Sequence, residues 1–288
     1  MIGWLDTVVQ GVLLGGLYAL FALGQSLIFG VMRLTNVAHG DFIILAAFAA
    51  FAIVGPLSIG PIAALACLLP LAIAFGYALQ RFVLNGTLGK DPLPSLVVTF
   101  GLSIVIQNVL QEIFSADPRS IPAGGLATAS IQLVDGLAVG VLPLAVFAVA
   151  LSAAAALQWL FSSTAIGRVF RATSDDRETA EMMGLDARVV HAAATALAFA
   201  LIALAGVLQG MRTTVAPADG PALLLYAFEA VVIGGLGSFW GTFAGGIILG
   251  VTQGIGFRID PGWGLWLGHV VFIVVLLARP AGLFPRMR

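Results

Sequence analysis

Residues 137–161, LAVGVLPLAVFAVALSAAAALQWLF, run without a charge into 162–190, SSTAIGRVFRATSDDRETAEMMGLDARVV, which gives way to a second apolar run over 190–211. Each apolar run reaches the ~20 residues that a helix needs to cross a bilayer. The island between them carries Arg168, Arg171, Asp175, Asp176, Arg177, Glu178, Glu181, Asp186 and Arg188, about a third of the charged residues in the chain. Charge concentrated in one compact loop between two spans reads as a surface presented to a soluble partner.

The pattern extends in both directions. Further long apolar stretches lie at 8–30, 59–80 and 264–278. The 288 residues are 60% hydrophobic and 9% charged, with a mean hydropathy of +1.07; soluble domains carry about 25% charged residues. The expected fold is all-α, a polytopic membrane protein of eight or nine transmembrane helices. The spans fall at 8–31, 40–56, 59–81, 94–114, 137–161, 190–211, 222–236, 239–257 and 264–279. The runs lack the apolar–polar alternation of a transmembrane barrel. Glycines and prolines interrupt several of them, which predicts broken or re-entrant segments buried in protein or lining a wet cavity. Residues 222–257 read either as one span plus a re-entrant piece or as two short spans. The whole of 1–288 reads as one transmembrane domain with 162–190 as its cytoplasmic loop.

Basic residues set the orientation. With 162–190 in the cytoplasm, Arg33, Arg81, Lys90, Arg168, Arg171, Arg177, Arg188, Arg279, Arg286 and Arg288 fall inside and Arg119, Arg212 and Arg258 outside, as the positive-inside rule asks. Nine full crossings put the N-terminus outside; one re-entrant piece would reverse it. The N-terminal MIGWLDTVVQG lacks the basic start of a cleavable leader, so the first apolar segment is expected to stay as a helix. The 115–136 loop, rich in Pro, Gly and Ser, reads as external turns. Cys67 reads as a small core residue with no disulfide partner.

Several chemistries are excluded. No G-x-x-x-x-G-K-[ST] cradles a nucleotide, and GGLGSFWG (234–241) lacks the glycine spacing and preceding strand of a dinucleotide loop. His39, His191 and His269 are far apart and no Cys/His cluster has zinc spacing; His39 and Asp41, two apart, are a weak metal signal alone. No nucleophile–base pair stands out, and a net charge of −1 offers nothing to nucleic acid. The chain is not expected to be an enzyme.

The island reads as a short helix near 175–186. Thr173, Ser174 or Asp175 would be its N-cap, with Asp175, Asp176 and Glu178 where the helix dipole favours acids. Gly184 would be the residue after the C-cap, and Ala180, Met183 and Leu185 an apolar edge. A docking helix for a cytosolic subunit and a solvated connector on the membrane both fit. ETAEMMG (178–184) resembles the E-A-A-x-x-x-G loop of ABC-importer permeases, with Thr179 for the middle alanine. GQSLIFGVMRLTNVAHGDFIILAAF (24–48), GRVFRATSDDRETAEMMGLD (167–186), AFALIALAGVLQG (198–210), AVVIGGLGSFWGTFAGGIILG (230–250) and RPAGLFP (279–285) are similar, in order and spacing, to the branched-chain amino acid permease family, LivH-type.

That resemblance implies a multi-pass permease subunit in a bacterial inner membrane. It would work with a second, related permease chain as a heterodimer, two cytosolic ABC ATPase subunits and an external substrate-binding protein. No cofactor sits in this chain; ATP and Mg belong to the ATPase subunits. Glu178, Ala180, Gly184 and Leu185 would carry coupling, with Asp175 and Met183 on the same helix. Arg171 and Arg177 would orient it against partner acids or membrane lipid phosphates. The substrate would be a branched-chain or related amino acid, with urea, amides or small aromatic acids as alternatives within the family.

Three further features remain. RLTNVAHGD (33–41) reads either as a polar turn or as a discontinuous element near a translocation path. Asn36 and His39 would hold its backbone and Gly40 would permit a tight turn. Gly237, Gly241 and Gly245, and Gly246, Gly250 and Gly254, recur every fourth residue, the spacing of close helix packing; a subunit or sliding interface is the alternative, and Gly11 with Gly15 forms a lone similar pair. Glu229 lies in an apolar span and Gln107 and Asn108 on another. Intramembrane polar groups of this kind mark a path, a partner helix or a wet outer edge, and Glu112 reads as wet. An ion-driven secondary transporter using Glu229, or a membrane protein without transport, are the competing readings; the first leaves the charged island unexplained, and the broken helices and polar residues within spans argue against the second.

Overall fold

A computed structural model describes residues 2–89, 92–134 and 137–284. Its helices are α1 (Ile2–Met32), α2 (His39–Leu57), α3 (Pro61–Phe82), α4 (Leu93–Phe114), a single turn α5 (Gly125–Thr128), α6 (Val141–Ser163), α7 (Ala165–Asp175), α8 (Arg177–Met182), α9 (Ala187–Arg212), α10 (Gly220–Gly234), α11 (Phe239–Ile259) and α12 (Trp263–Ala278). Among the described residues eight helices are long and apolar enough to cross a membrane, and α12 is a shorter apolar one. Residues 222–257 are therefore two antiparallel helices, with Gly234 of α10 against Gly241 of α11.

Local chemistry sets the helix ends. Pro61 opens α3 and Ser58 turns the chain before it in the left-handed region (φ 50°). Asp186 caps α9 through Arg188 N, and Ser238 caps α11 through Gly241 N, each satisfying an amide the helix leaves open. Arg33, at φ 53°, ends α1.

The external loop departs from the all-helical expectation. Ser130–Val134 (β1) and Leu137–Gly140 (β2) form a small antiparallel hairpin, so the span expected from 137 starts as helix only at Val141. Asp135 and Gly136, a hairpin-type dipeptide, lie outside the described residues. Cys67 is exposed on the outer side of α3 and is no part of the core; apolar residues of a membrane bundle face lipid as readily as protein, so hydropathy does not separate the two.

The centre of the bundle is α1, gripped by α11 and flanked by α9. Gly11 and Gly15 of α1 meet Gly246 and Gly250 of α11 backbone to backbone: a Cβ on Gly246 would stand 2.6 Å from Ala19 N, and one on Gly250 2.6 Å from Gly15 Cα. Gly254 makes looser contact, 3.5 Å from Gly11 Cα. Gly241 and Gly245 face α10 instead, against Gly234 and Ala230. The two ladders thus line two sides of α11 within one chain. Gly237 is not on either: it lies in the 235–238 turn before α11 at φ 83°, because Gly235 ends α10 and the periodicity there belongs to a turn.

Contacts fix the direction of every helix. Ser174 Oγ of α7 donates to Gly30 O near the end of α1 (2.7 Å), while Arg258 Nη1 at the end of α11 donates to Gly3 O at its start (2.7 Å). The N-terminus therefore lies on the face opposite α7 and α8. Arg81 pairs with Asp186 on the α7–α8 face (3.7 Å), and Arg119 N bonds Val215 O on the other (2.9 Å). Lys90, Arg286 and Arg288, assigned to the inner face by sequence, lie outside the described residues, as does Pro285 of the RPAGLFP ending.

Gly250→Ala should destabilise the bundle by about 1–3 kcal/mol, the usual cost of overpacking. Gly55→Ala, in a helix with nothing within 4 Å of the added methyl, should cost nothing. Thermal unfolding of both variants in detergent checks this.

Candidate functional site

Two polar constructions stand out, one on the α7–α8 face and one within the bundle. On the α7–α8 face the expected single helix is two. α7 ends at Asp175, Asp176 adopts an extended conformation (φ −148°), and α8 begins at Arg177. Asp176 is the N-cap: its Oδ1 accepts from Thr179 N (3.1 Å) and its Oδ2 from Thr179 Oγ1 (2.6 Å). Those bonds hold its carboxyl below the usual carboxylate range. Thr173, Ser174 and Asp175 thus form the last turn of α7 and cap nothing on α8. Asp175 sits at a helix C-terminal end, where the dipole does not favour an acid. The sequence reading puts the cap at Thr173, Ser174 or Asp175; the cap is the next residue, Asp176, because its carboxylate bonds Thr179 both ways.

Gly184 closes α8 at φ 88°. Gly184 N donates to Glu181 O (3.0 Å) and Leu185 N to Ala180 O (3.1 Å), the paired bonds of a Schellman cap. Ala180 is buried, Leu185 half-buried, and Met182 and Met183 are about four-fifths exposed. Met183 therefore does not share the inward edge with Ala180 and Leu185; the tight cap turns it outward. Asp175, Glu178 and Arg171 are exposed. Arg177 pairs with Glu181 one turn on (2.9 Å), and Arg171 lines a cleft with Ser162, Ser174 and Ser238.

This platform is tied to the bundle. Ser174 holds α1, and Asp186 holds Arg81 of α3. Asn85 Nδ2 donates to Arg188 O (3.1 Å), Gln80 Nε2 to Asn85 Oδ1 (3.1 Å), and Thr195 Oγ1 to Gln80 Oε1 (2.9 Å). Sequence reading missed this chain of polar contacts between α3 and α9, since its members are isolated polar residues in apolar runs.

At membrane depth, RLTNVAHGD folds back into the bundle. His39 Nε2 bonds Phe21 O (2.8 Å), eleven residues or about 16 Å before the end of α1. Helix α2 consequently starts deep between its neighbours. Asn36 Oδ1 accepts from Ala38 N (3.1 Å), and Val37 N donates to Thr99 Oγ1 of α4 (3.2 Å). Gly40 abuts the Gly220 carbonyl, so α10 starts at the same depth, and Asp41 Oδ1 touches Gly220. Gln107 Nε2 donates to Asp41 Oδ1 (2.8 Å) and to Ser103 Oγ (3.2 Å). Asn36, His39 and Asp41 are fully buried. Asn36 Nδ2, His39 Nδ1 and Asp41 Oδ2 have no hydrogen-bond partner among the described residues.

The other path candidates scatter. Asn108, about 100° around α4 from Gln107, is exposed and bonded back to Ile104 O (2.7 Å). Glu229 is buried and takes His269 Nδ1 of α12 on its Oε1 (2.5 Å). Beside it Tyr18 stacks on Tyr226 and donates to Gln253 Oε1 (2.6 Å). His269, the partner of Glu229, has no sequence signal beyond being a lone polar residue in WGLWLGHVVFIVVLLA. Among the described residues no group of His, Cys, Asp and Glu is arranged to hold a metal.

Long apolar helices, a glycine-packed centre and two broken helices meeting at depth define a polytopic helical membrane protein with a polar interior. The chain belongs to the family described as branched-chain amino acid transport system / permease component, whose model matches residues 7–279. It is 28% identical to the high-affinity branched-chain amino acid transport system permease protein BraD of Pseudomonas aeruginosa, over 98% of this chain and 96% of that one. It is 26% identical to LivH of Escherichia coli K12 over the same shares, and 24% identical to a probable LivH of Methanocaldococcus jannaschii over 96% and 91%. A solved structure, PsaBC from Streptococcus pneumoniae in complex with Fab, is similar over 93% of this chain and 90% of its own, at 15% identity and a TM-score of 0.46. The three sequence relatives are named as branched-chain amino acid transport permease proteins.

His269→Ala leaves Glu229 buried without its partner. The expected loss is about 2–3 kcal/mol, below the 3–5 of a fully buried pair because exposure weakens such interactions; His269 is 36% exposed. Adding Glu229→Gln should recover part of it, read as the shift in Tm of the detergent-purified protein.

Proposed function

We propose that this chain forms half of the membrane channel of an ABC importer for branched-chain or related amino acids, and that α8 with its Schellman cap is where cytosolic ATPase subunits grip it. The outward Met182–Met183 pair beside the inward Ala180 carries this reading. Methionine is adaptable in packing and recurs at binding surfaces, and two of them at the tip of a capped one-and-a-half-turn helix offer a groove-filling knob. Glu178, Asp175 and Arg171 frame that knob with charge; Arg171 also faces the phosphates of membrane lipid.

A second, related permease chain would complete the path, and an external binding protein would deliver the solute. ATP and Mg would act on the ATPase chains; this chain would hold no cofactor. When two ATPase subunits close, force on α8 passes through α7 to α1 at Gly30, and through Asp186 and Arg188 to α3 and α9. Those helices pack on α2 and α10, which start inside the bundle. The names of the relatives support branched-chain amino acids as the solute; urea, amides and small aromatic acids are the alternatives to try in the same assay.

The test is reconstitution with the ATPase and second permease chains in proteoliposomes, followed by uptake of labelled leucine. Uptake that needs ATP hydrolysis and survives a protonophore supports the proposal; uptake driven by an ion gradient without ATP rejects it. Within that system Gly184→Val should insert and assemble normally yet lose most ATP-driven uptake. It forces a β-branched residue into the left-handed region at a cost of roughly 1–2 kcal/mol, with open space around it and therefore no clash.

A further inference from the structure

Four elements converge on one rim of the α7–α8 face: the last turns of α6, the second half of α7, the end of α1 at Gly30 and the turn that opens α11. Between them lies a cavity of about 220 Å³. Its floor is aromatic: the Phe161 ring centre stands 4.9 Å from that of Phe239 and 5.5 Å from that of Phe170. Its rim is polar, with Arg171 from α7, Gln158 and Ser162 from α6, and Ser238 before α11.

The rim favours an anion. Arg171 lines the cavity, and Arg168 precedes it by three residues on the exposed side of α7. Neither guanidinium has an ion pair among the described residues, and no acid lines the cavity. Ser238 is buried, and its Oγ accepts from Gly241 N (3.1 Å) as the cap of α11. Its hydroxyl hydrogen has no acceptor among the described residues. Phe239 N and Trp240 N, in the first turn of this 21-residue helix, have no intrahelical partner and carry the positive end of its dipole.

The neighbours set the height of the cleft. Trp159, beside Gln158, is 64% exposed, and Trp240, beside Phe239, is 43% exposed; exposed indoles settle at the headgroup level of a membrane. The apolar run of α6 ends there at Ser162 and Ser163, and charge begins at Arg168.

We propose that this cleft binds the headgroup of an anionic phospholipid of the phosphatidylglycerol class. The phosphodiester lies between Arg171, the Ser238 hydroxyl and the start of α11, a guanidinium and helix amides being a natural phosphate cradle. The uncharged glycerol meets Gln158 and Ser162, and the first acyl carbons meet the Phe161 floor. The ammonium of a zwitterionic headgroup finds no acid in the lining. The cavity equals about seven waters at ~30 Å³ each, room for a headgroup while the tails stay in the bilayer. The bound lipid ties α7 to α11 at the root of the coupling platform. This deepens the lipid contact of Arg171 in the importer function proposed above, and rests on that function only for its consequence for uptake.

The experiment uses the full chain purified in detergent and titrated with phosphatidylglycerol, phosphatidylethanolamine or inorganic phosphate, with bound molecules counted by native mass spectrometry. Phosphatidylglycerol should bind ~10-fold more tightly than phosphatidylethanolamine, and Arg171→Gln should abolish that preference by removing a charge-assisted contact. Arg188→Gln removes the same charge from the same face outside the cleft and should leave the preference within ~2-fold, as an exposed charge does. Equal affinities for the two lipids, or a preference that survives Arg171→Gln, overturn the proposal. Inorganic phosphate that displaces the lipid at equal concentration also overturns it, in favour of a free-anion site. Should Arg171→Gln not fold, Gln158→Ala combined with Ser162→Ala must narrow the preference. Leucine uptake by the reconstituted importer in vesicles containing phosphatidylglycerol separates the two claims. A lipid preference without uptake supports the cleft and rejects the importer function, and uptake without a lipid preference rejects the cleft alone.

Discussion

The contact on which the rest depends is the glycine-to-glycine seam between α1 and α11. Lipid tails are as apolar as leucine, so burial alone does not hold membrane helices together; close van der Waals packing must do so. Gly11, Gly15, Gly246 and Gly250 remove the side chains that would separate the two backbones. With α11 pressed on one side of α1, the remaining surface of α1 is free to carry α9, α6 and α10. Tyr18 and Ser26 of α1 then meet Gln253 and Thr242 across the seam.

A rigid centre allows the periphery to be irregular. Two helices, α2 and α10, begin inside the bundle. Each leaves backbone amides that water cannot reach, and such ends are tolerated only where protein polar groups surround them. Asn36, Asp41, Thr99 and Gln107 supply that surround. The inner platform is attached to this centre at α1, α3 and α9 and projects everything else outward.

The sequence announced its helices because spans of this length and hydropathy have few other fates. The turn glycine Gly184 and the inward Ala180 were also legible, since a capped short helix leaves a local signature. What stayed hidden depended on direction in three dimensions. Hydropathy is blind to whether Cys67 or Asn108 points at protein, lipid or water. With capping residue types running from 173 to 176, the helix reads as starting at Thr173, Ser174 or Asp175, whereas those residues end α7 and Asp176, bonded to Thr179, starts α8. Gly237 kept the four-residue rhythm of its neighbours while lying in a turn. His269 and Glu229 are 40 residues apart, and nothing local links them. The hairpin at 130–140 was masked by its small size and by the Pro- and Gly-rich loop that precedes it.

The abutment of Gly40 on Gly220 has a mechanical corollary. The loop leaving α1 on the α7–α8 side and the loop leaving α9 on the opposite side terminate on one pair of touching backbones. Neither has a side chain to cushion the contact. A push on residues 33–38 would be handed directly to residues 213–219, without travelling the length of any complete helix. The thickness of the membrane is bridged by two half-length levers sharing a fulcrum, so a small stroke at one surface would be felt at the other.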